Sequence, residues 1–268
     1  MAANAGFSDR LRWWRARRGL SQLGLAVEAE VSQRHISFIE LGRTEPSREM
    51  VLRLAAALAI PFREQNALLL AAGYAPIWRE RSLEAPELTM IDRTLDFMLT
   101  QQEPFPAFVV DRRWNLLRAN VSACRFVGFL MDSPPMEIGP GRRINLADAL
   151  VAPDALRPLI TNWRDVALYF IRGVRADALA DGSIATSDLL KRLLGYPGVP
   201  GLGETVLIES GRDPVLTMDI VKAGTRLRLL TTLATLGTPL EVAAEEIRIE
   251  CFFPADVPTG DLFRSWAV

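Results

Sequence analysis

The chain has 268 residues, enough for one large domain or two modest ones, and its hydrophobic share of 49% can fill a real core. No stretch approaches the roughly 20 apolar residues of a membrane span, and the opening MAANAGFSDR has no apolar signal-peptide centre, which implies a cytoplasmic protein. The net charge of −1 hides an uneven distribution: residues 1–80 carry 11 basic against 8 acidic residues, and residues 81–268 carry 20 against 24.

A basic head on an acidic body suggests that only the head meets phosphate. Lysine occurs only at Lys191 and Lys222, so nearly all the positive charge is arginine. Cys124 and Cys251 each sit among apolar neighbours and read as buried thiols, with neither a disulfide nor metal-ligand spacing around them.

From Phe7 to Ala72 the chain is punctuated as five short helices. Leu11 and Trp14 stripe the first, which Gly19 ends. Ser21 caps a second that carries Leu25, Ala26 and Ala29. Ser32 caps a third with Ile36 and Ile39 inward, and Gly42 stops it. Pro46-Ser47 opens a fourth with Val51, Leu54, Ala55 and Leu58 on one face, and Ile60-Pro61 separates it from a fifth near Arg63–Ala72. Tight connections between short helices predict a compact all-α bundle.

The second and third helices are joined by barely a turn, a geometry that presents the later helix to a DNA major groove. Ser21-Gln22, Leu25-Ala26, Ala29, Val31-Ser32, Ile36-Ser37, Glu40, Gly42 and Pro46-Ser47 resemble the phage-repressor (XRE, Cro/CI-type) helix-turn-helix. Position then assigns roles. Ser32 opens the recognition helix, on whose outward N-terminal part Gln33, Arg34, Ser37 and Phe38 are the base-reading candidates; Gln22, Arg43, Ser47 and Arg48 are placed to hold phosphates. The same resemblance implies a structural ion pair between Arg15 and Glu40. His35, the only histidine, reads as a groove-side or surface residue. Two positions depart from the family pattern: Glu30 stands where the turn usually has glycine, and Gly24 lies inside the second helix at a cost of about 1 kcal/mol relative to alanine.

Residues 77–87 read as a connector, with Pro86 admitting a helix over about Glu87–Gln101. Pro106–Asp111 and Trp114–Arg118 are strand signals joined by a turn, and Asn120 caps a helix bearing Cys124, Phe126, Val127 and Leu130. The stretch 144–196 reads as helical, with starts at Asn145 and Pro153-Asp154 and a long amphipathic run over Leu156–Leu179. Strand signals follow at Val215–Val221, Arg226–Ala234 and Glu246–Phe253. The sum is a five-stranded antiparallel sheet covered by helices on one side, an α+β domain of PAS-like pattern behind an all-α five-helix head.

AAGYAP at 71–76, VVDRRWNL at 109–116, NWRDVA at 162–167, YPGVP at 196–200, LATLGTP at 233–239 and IECFFPAD at 249–256 resemble the MmyB-like regulators. That resemblance implies a helix-turn-helix domain over residues 1–76, the connector 77–87 and a PAS-like ligand-binding domain over 88–268. It also implies an effector that is a fatty acid or a similar long apolar molecule, with no other cofactor and no metal. Phe108, Trp114, Phe126, Phe129, Trp163, Tyr169 and Phe170 supply the apolar inventory for such a cavity, and the helix with Trp163 and Tyr169 is its first candidate wall. Arg113, Asn115, Asn162 and Arg164 are alternatives for holding a carboxylate.

The function expected is a regulator that binds a double-stranded operator as a homodimer and responds to an apolar effector. A C-terminal domain acting only as a dimerisation scaffold is the alternative. A DNA-coupled enzyme is a weaker one, because no histidine lies outside the recognition helix and no nucleophile elbow or phosphate loop is present.

Overall fold

The computed structural model describes residues 6–81, 85–135, 144–200, 202 and 215–267. Part of the expected connector, residues 82–84, lies outside them. The backbone divides into two compact units: Met1–Arg81 with Asp177–Ile184 and Pro239–Glu245, and Ser82–Ala176 with Ala185–Thr238 and Glu246–Val268.

The first unit opens with α1 (Phe7–Arg17), α2 (Gln22–Glu28), α3 (Gln33–Glu40), α4 (Arg48–Ala57) and α5 (Phe62–Ala71). Their inward faces meet in one core containing Leu11, Trp14, Leu25, Ile36, Ile39 and Leu54. Short helices are marginal in isolation, so this burial and the end caps hold them. Ser21, Ser32 and Ser47 accept the amide protons of Gly24, His35 and Met50 at 2.9, 3.2 and 3.2 Å, each cap worth about 1 kcal/mol. Pro61 offers α5 no side-chain cap; Glu245 supplies one from elsewhere in the unit, accepting the Phe62 N–H at 2.9 Å. Arg17 and Arg18 likewise donate to the carbonyls of Leu179 and Ala180 at 2.6 and 2.8 Å.

The C-terminal end of α2 closes in a Schellman motif: Val31 N–H donates to Ala26 O at 2.9 Å and Glu30 N–H to Val27 O at 3.1 Å. The motif puts its penultimate residue in the left-handed region, where Gly42 serves after α3 at φ +68°. After α2 that residue is Glu30, at φ +51°.

The second unit contains α6 (Thr89–Gln101), β1 (Ala107–Val110), β2 (Leu116–Ala119), α7 (Val121–Met131), α8 (Leu146–Val151), α9 (Trp163–Asp181, its last turn counted with the first unit), α10 (Ile184–Leu194), β3 (Met218–Lys222) and β4 (Thr225–Thr235). After the short α11 (Val242–Glu246) come β5 (Arg248–Pro254) and α12 (Val257–Trp266). The strands form one antiparallel sheet in the order β2-β1-β5-β4-β3. Asn120 caps α7 by accepting the Ala123 N–H at 2.9 Å, and the same oxygen takes the Ala107 N–H at 3.0 Å, tying the helix start to β1.

Three expectations change. The sheet is covered on both faces rather than one. Phe108, Val110, Leu229 and Phe252 belong to the main core with residues of α7, α8 and α9, whereas Ala107, Val109, Ile249 and Cys251 pack on the other side with Leu95 and Leu99 of α6. All four residues of β1 are therefore buried, the signature of a strand enclosed on both faces. The long helix starts at Trp163 and not at Leu156: Pro153-Asp154 opens turns, Arg157–Leu159 is a single 3₁₀ turn, and Ile160 bridges to Ile220 at the sheet edge. Finally, α12 has no counterpart among the expected elements. Asp256 caps it through the Thr259 N–H at 2.9 Å, and Pro258 sits in its first turn.

Among the described residues no helix is long and apolar enough to cross a membrane, and no group of histidine, cysteine or acidic residues could hold a metal ion. Cys124 and Cys251 are unpaired thiols, both half-buried, and burial raises the pKa of each.

Candidate functional site

Two sites emerge, one in each unit. In the first, the Schellman turn at Glu30 and the Ser32 cap bring α3 out of α2 within four residues. Ile36 and Ile39 anchor α3 in the core with no exposed surface, which turns its opposite face outward. On that face Gln33 and Arg34 are exposed, and Ser37, Phe38 and His35 are half-buried. The Arg34 guanidinium lies 5.1 Å from the Phe38 ring centre and the Arg43 guanidinium 5.9 Å from it, so one aromatic ring orients two cations.

Arg43, Ser47 and Arg48 are exposed around the start of α4. The Ser32 and Ser47 hydroxyls accept at their caps and each keeps a proton to donate. Gln22 is half-buried and committed on one side, its amide donating to Glu40 Oε2 at 2.8 Å. Beneath lies the Arg15–Glu40 pair, with Arg15 Nε on Oε1 at 2.6 Å and Nη2 on Oε2 at 2.8 Å. Ser8 and Arg12, not singled out in the sequence, donate to the carbonyls of Ile39 and Glu40 at 2.6 and 2.7 Å and fix the end of α3. An exposed helix with polar and cationic tips on a rigid bundle can enter a groove and meet base edges.

The second site is a cavity of about 490 Å³ between the sheet and its helices, within the roughly 300–1,000 Å³ of small-molecule sites. Five of the seven aromatic candidates line it: Phe108, Trp114, Phe126, Tyr169 and Phe170. Two do not. Phe129 turns to Trp266 of α12, with ring centres 5.1 Å apart. Trp163 donates its indole N–H to Leu150 O at 2.9 Å, and the Arg157 guanidinium covers its ring at 3.6 Å. Helix α9 still supplies a wall, through Val166, Tyr169 and Phe170 at i, i+3 and i+4.

None of the four polar candidates reaches the cavity. Asn115 donates to Asp111 at 2.8 Å, and Arg113 lies 3.8 Å from the same carboxylate. Asn162 is spent on Thr217 O at 2.7 Å and Asp219 N–H at 3.0 Å, and Arg164 lines a separate hollow. The polar residues on the described wall are instead Tyr169, Thr217, Thr231 and Glu250. Glu250 is half-buried on this wall, and desolvation pushes its carboxyl up to about 7 from the ordinary 4.5. The signal for it lay in strand alternation, since Glu250 shares a face of β5 with Phe252.

A family model of helix-turn-helix domains matches residues 11–65, and the model of the MmyB-like transcription regulator ligand binding domain matches residues 91–265. A comparison with curated proteins gives no match. The second match takes in the sheet, the helices and the cavity, and it covers more than half of the chain. With a helix-turn-helix in front of a ligand-binding domain, the chain belongs to the MmyB-like family of DNA-binding transcription regulators.

Proposed function

We propose that the protein is a one-component regulator without enzymatic activity. The α2–α3 pair reads an operator, as a homodimer on a pseudo-palindrome, and occupation of the cavity by a small apolar effector changes that affinity. Gln33, Arg34, Ser37 and Phe38 contact bases; Gln22, Ser32, Arg43, Ser47 and Arg48 hold the backbone. The PAS-like domain takes one long-chain molecule from the cytoplasm, the class to which a fatty acid belongs.

The observation that carries this reading is the cavity itself. Cores are normally packed to crystal density, yet here about 490 Å³ stays open inside an apolar wall, which supports a ligand site over a scaffold. The test is a footprint on the promoter beside the protein's own coding region, with and without long-chain fatty acids, together with native mass spectrometry of the gently purified protein. Protection of a discrete sequence, altered by the ligand, supports the reading. A protein that protects nothing, or whose protection no long-chain molecule alters, overturns it.

A further inference from the structure

Helix α9 lines the cavity along its first half and is gripped by α1 at its end. Val166, Tyr169 and Phe170 stand on the cavity wall. About two turns on, roughly 12 Å along the axis, comes the last turn, which counts with the first unit. The carbonyls of a helix's last turn have no partner within it. Here α1 supplies donors: Arg17 bonds Ala178 O and, at 2.6 Å, Leu179 O, and Arg18 bonds Ala180 O at 2.8 Å. The Arg17 guanidinium lies 4.6 Å from the Trp13 ring centre and that of Arg18 5.1 Å from Trp14, and the two indoles pack edge to face at 5.0 Å. Gly182 follows the helix at φ +64°, buried against both rings; a Cβ there would stand 2.6 Å from Trp14 and 2.8 Å from Trp13. Asp181 accepts the Ser183 N–H at 2.9 Å and fixes this turn. The cations, the rings and the close fit at Gly182 make a socket for one helix end.

The same α1 holds the recognition helix, through the bonds of Ser8, Arg12 and Arg15 to the end of α3. The other segment inserted into the first unit, Pro239–Glu245, seats elsewhere: Glu245 accepts the Phe62 N–H of α5, and the Val242 N–H donates to Arg79 O at 3.1 Å. Resting on the reading of the cavity as the effector site, we propose that the socket of Trp13, Trp14, Arg17 and Arg18 is the latch through which that site controls operator binding. The last turn of α9 has a seated and an unseated state, and a long-chain effector against Val166, Tyr169 and Phe170 shifts the balance between them. The helix carries the displacement of its wall to its end. Hydrogen bonds weaken steeply when misaligned, so a displacement well short of one helical turn breaks all three together. Release of the last turn frees the far end of α1, and α1 passes that freedom to the end of α3.

The test uses the full-length protein, the duplex protected in the footprint and dodecanoate as the probe. The quantity read is the ratio of operator Kd with and without saturating dodecanoate, taken within each variant so that a uniform electrostatic change cancels. Linkage requires the same ratio for dodecanoate with and without operator, which calorimetry checks. In the wild type the ratio departs from one by about fivefold or more. Arg17→Ala takes away two latch bonds and the Trp13 contact, and Gly182→Ala blocks the socket. Both bring the ratio to within about twofold of one, while dodecanoate still binds. Gly173→Ala, on the same helix but where a Cβ meets nothing within 4 Å, keeps the wild-type ratio. Arg18 is left in place because it also donates to the carbonyls of Leu58 and Ala59 at 2.7 and 2.9 Å. Circular dichroism establishes that each variant is folded, and Arg17→Ala decides alone if Gly182→Ala is not. A full ratio in Arg17→Ala, or an equal loss in Gly173→Ala, overturns the proposal. A wild type that binds dodecanoate with a ratio of one keeps the cavity as a ligand site and removes both its control of the operator and the latch; one that binds no dodecanoate removes the effector reading and the latch together.

Discussion

Arg15 and Glu40, 25 positions apart, meet in a two-pronged ion pair that fastens the recognition helix to α1. Their side chains are only 16% and 3% exposed, so each charge depends on the other. Breaking a buried pair from one side costs about 3–5 kcal/mol. Arg15→Ala and Glu40→Gln are each expected to lower stability on that scale in denaturant titrations.

The same pair predicts a pH dependence. Burial pushes the Glu40 carboxyl up, but hydrogen bonds from Arg15 and Gln22, with the charges of Arg15 and Arg12, outweigh it and leave the pKa below the ordinary 4.5. A depressed folded-state pKa contributes stability that is present above the unfolded value and lost as pH falls through the folded one. The gap between wild type and Glu40→Gln therefore narrows in acid. A constant gap down to full protonation speaks against the electrostatic origin.

Glu30 predicts a gain. Its φ of +51° is one that side chains with a Cβ adopt at a cost of about 1–2 kcal/mol. Glu30→Gly relieves that strain, offset by the greater freedom of glycine in the unfolded chain, for a net gain of a few tenths to about 1 kcal/mol. Thermal unfolding reads it directly, and a loss of stability would mean that the exposed Glu30 side chain holds the turn by some other contact.

The head was legible because its signals are local. Ser32 caps the amide three residues on and Gly42 follows the last turn, so each boundary is written within four residues of itself. The sheet was legible in its strands but not in its coverage. An apolar Ala107–Val110 fits a strand buried on one face or two, and only the packing of Leu95 and Leu99 decides. The start of α9 escaped for a similar reason: Ile160 looks helical by composition, yet a bridge to Ile220 takes its backbone. In the cavity, aromatic residues were found as an inventory, and which of them turn inward depends on distant partners such as Trp266 and Leu150.

Arg34 and Arg43 share the Phe38 ring but are predicted to fail differently. Arg34 projects from the recognition helix, so Arg34→Ala should cost about 1–3 kcal/mol on the operator and little on a scrambled duplex. Arg43 lies past the helix end. Arg43→Ala should weaken both duplexes alike and lower the salt slope by about one. Phe38→Ala releases both guanidinium groups and should combine the two effects. Fluorescence anisotropy on both duplexes at two salt concentrations separates them; an equal loss for Arg34→Ala on operator and scrambled DNA would assign Arg34 to the backbone.

Glu250 makes the empty domain sensitive to pH in a direction opposite to Glu40. Its folded-state pKa of about 7 stands above the ordinary 4.5, so the native state binds the proton more tightly than the unfolded chain. Stability is full below about 4.5 and falls as pH rises to about 7, by at most about 3 kcal/mol, with little change above. Glutamine has the same shape and no charge, so the difference between Glu250→Gln and wild type isolates this contribution. It should be small in mild acid, grow in favour of the variant toward neutrality and then level off. A flat difference across that window would mean that the carboxylate finds solvent or a cation in the native state.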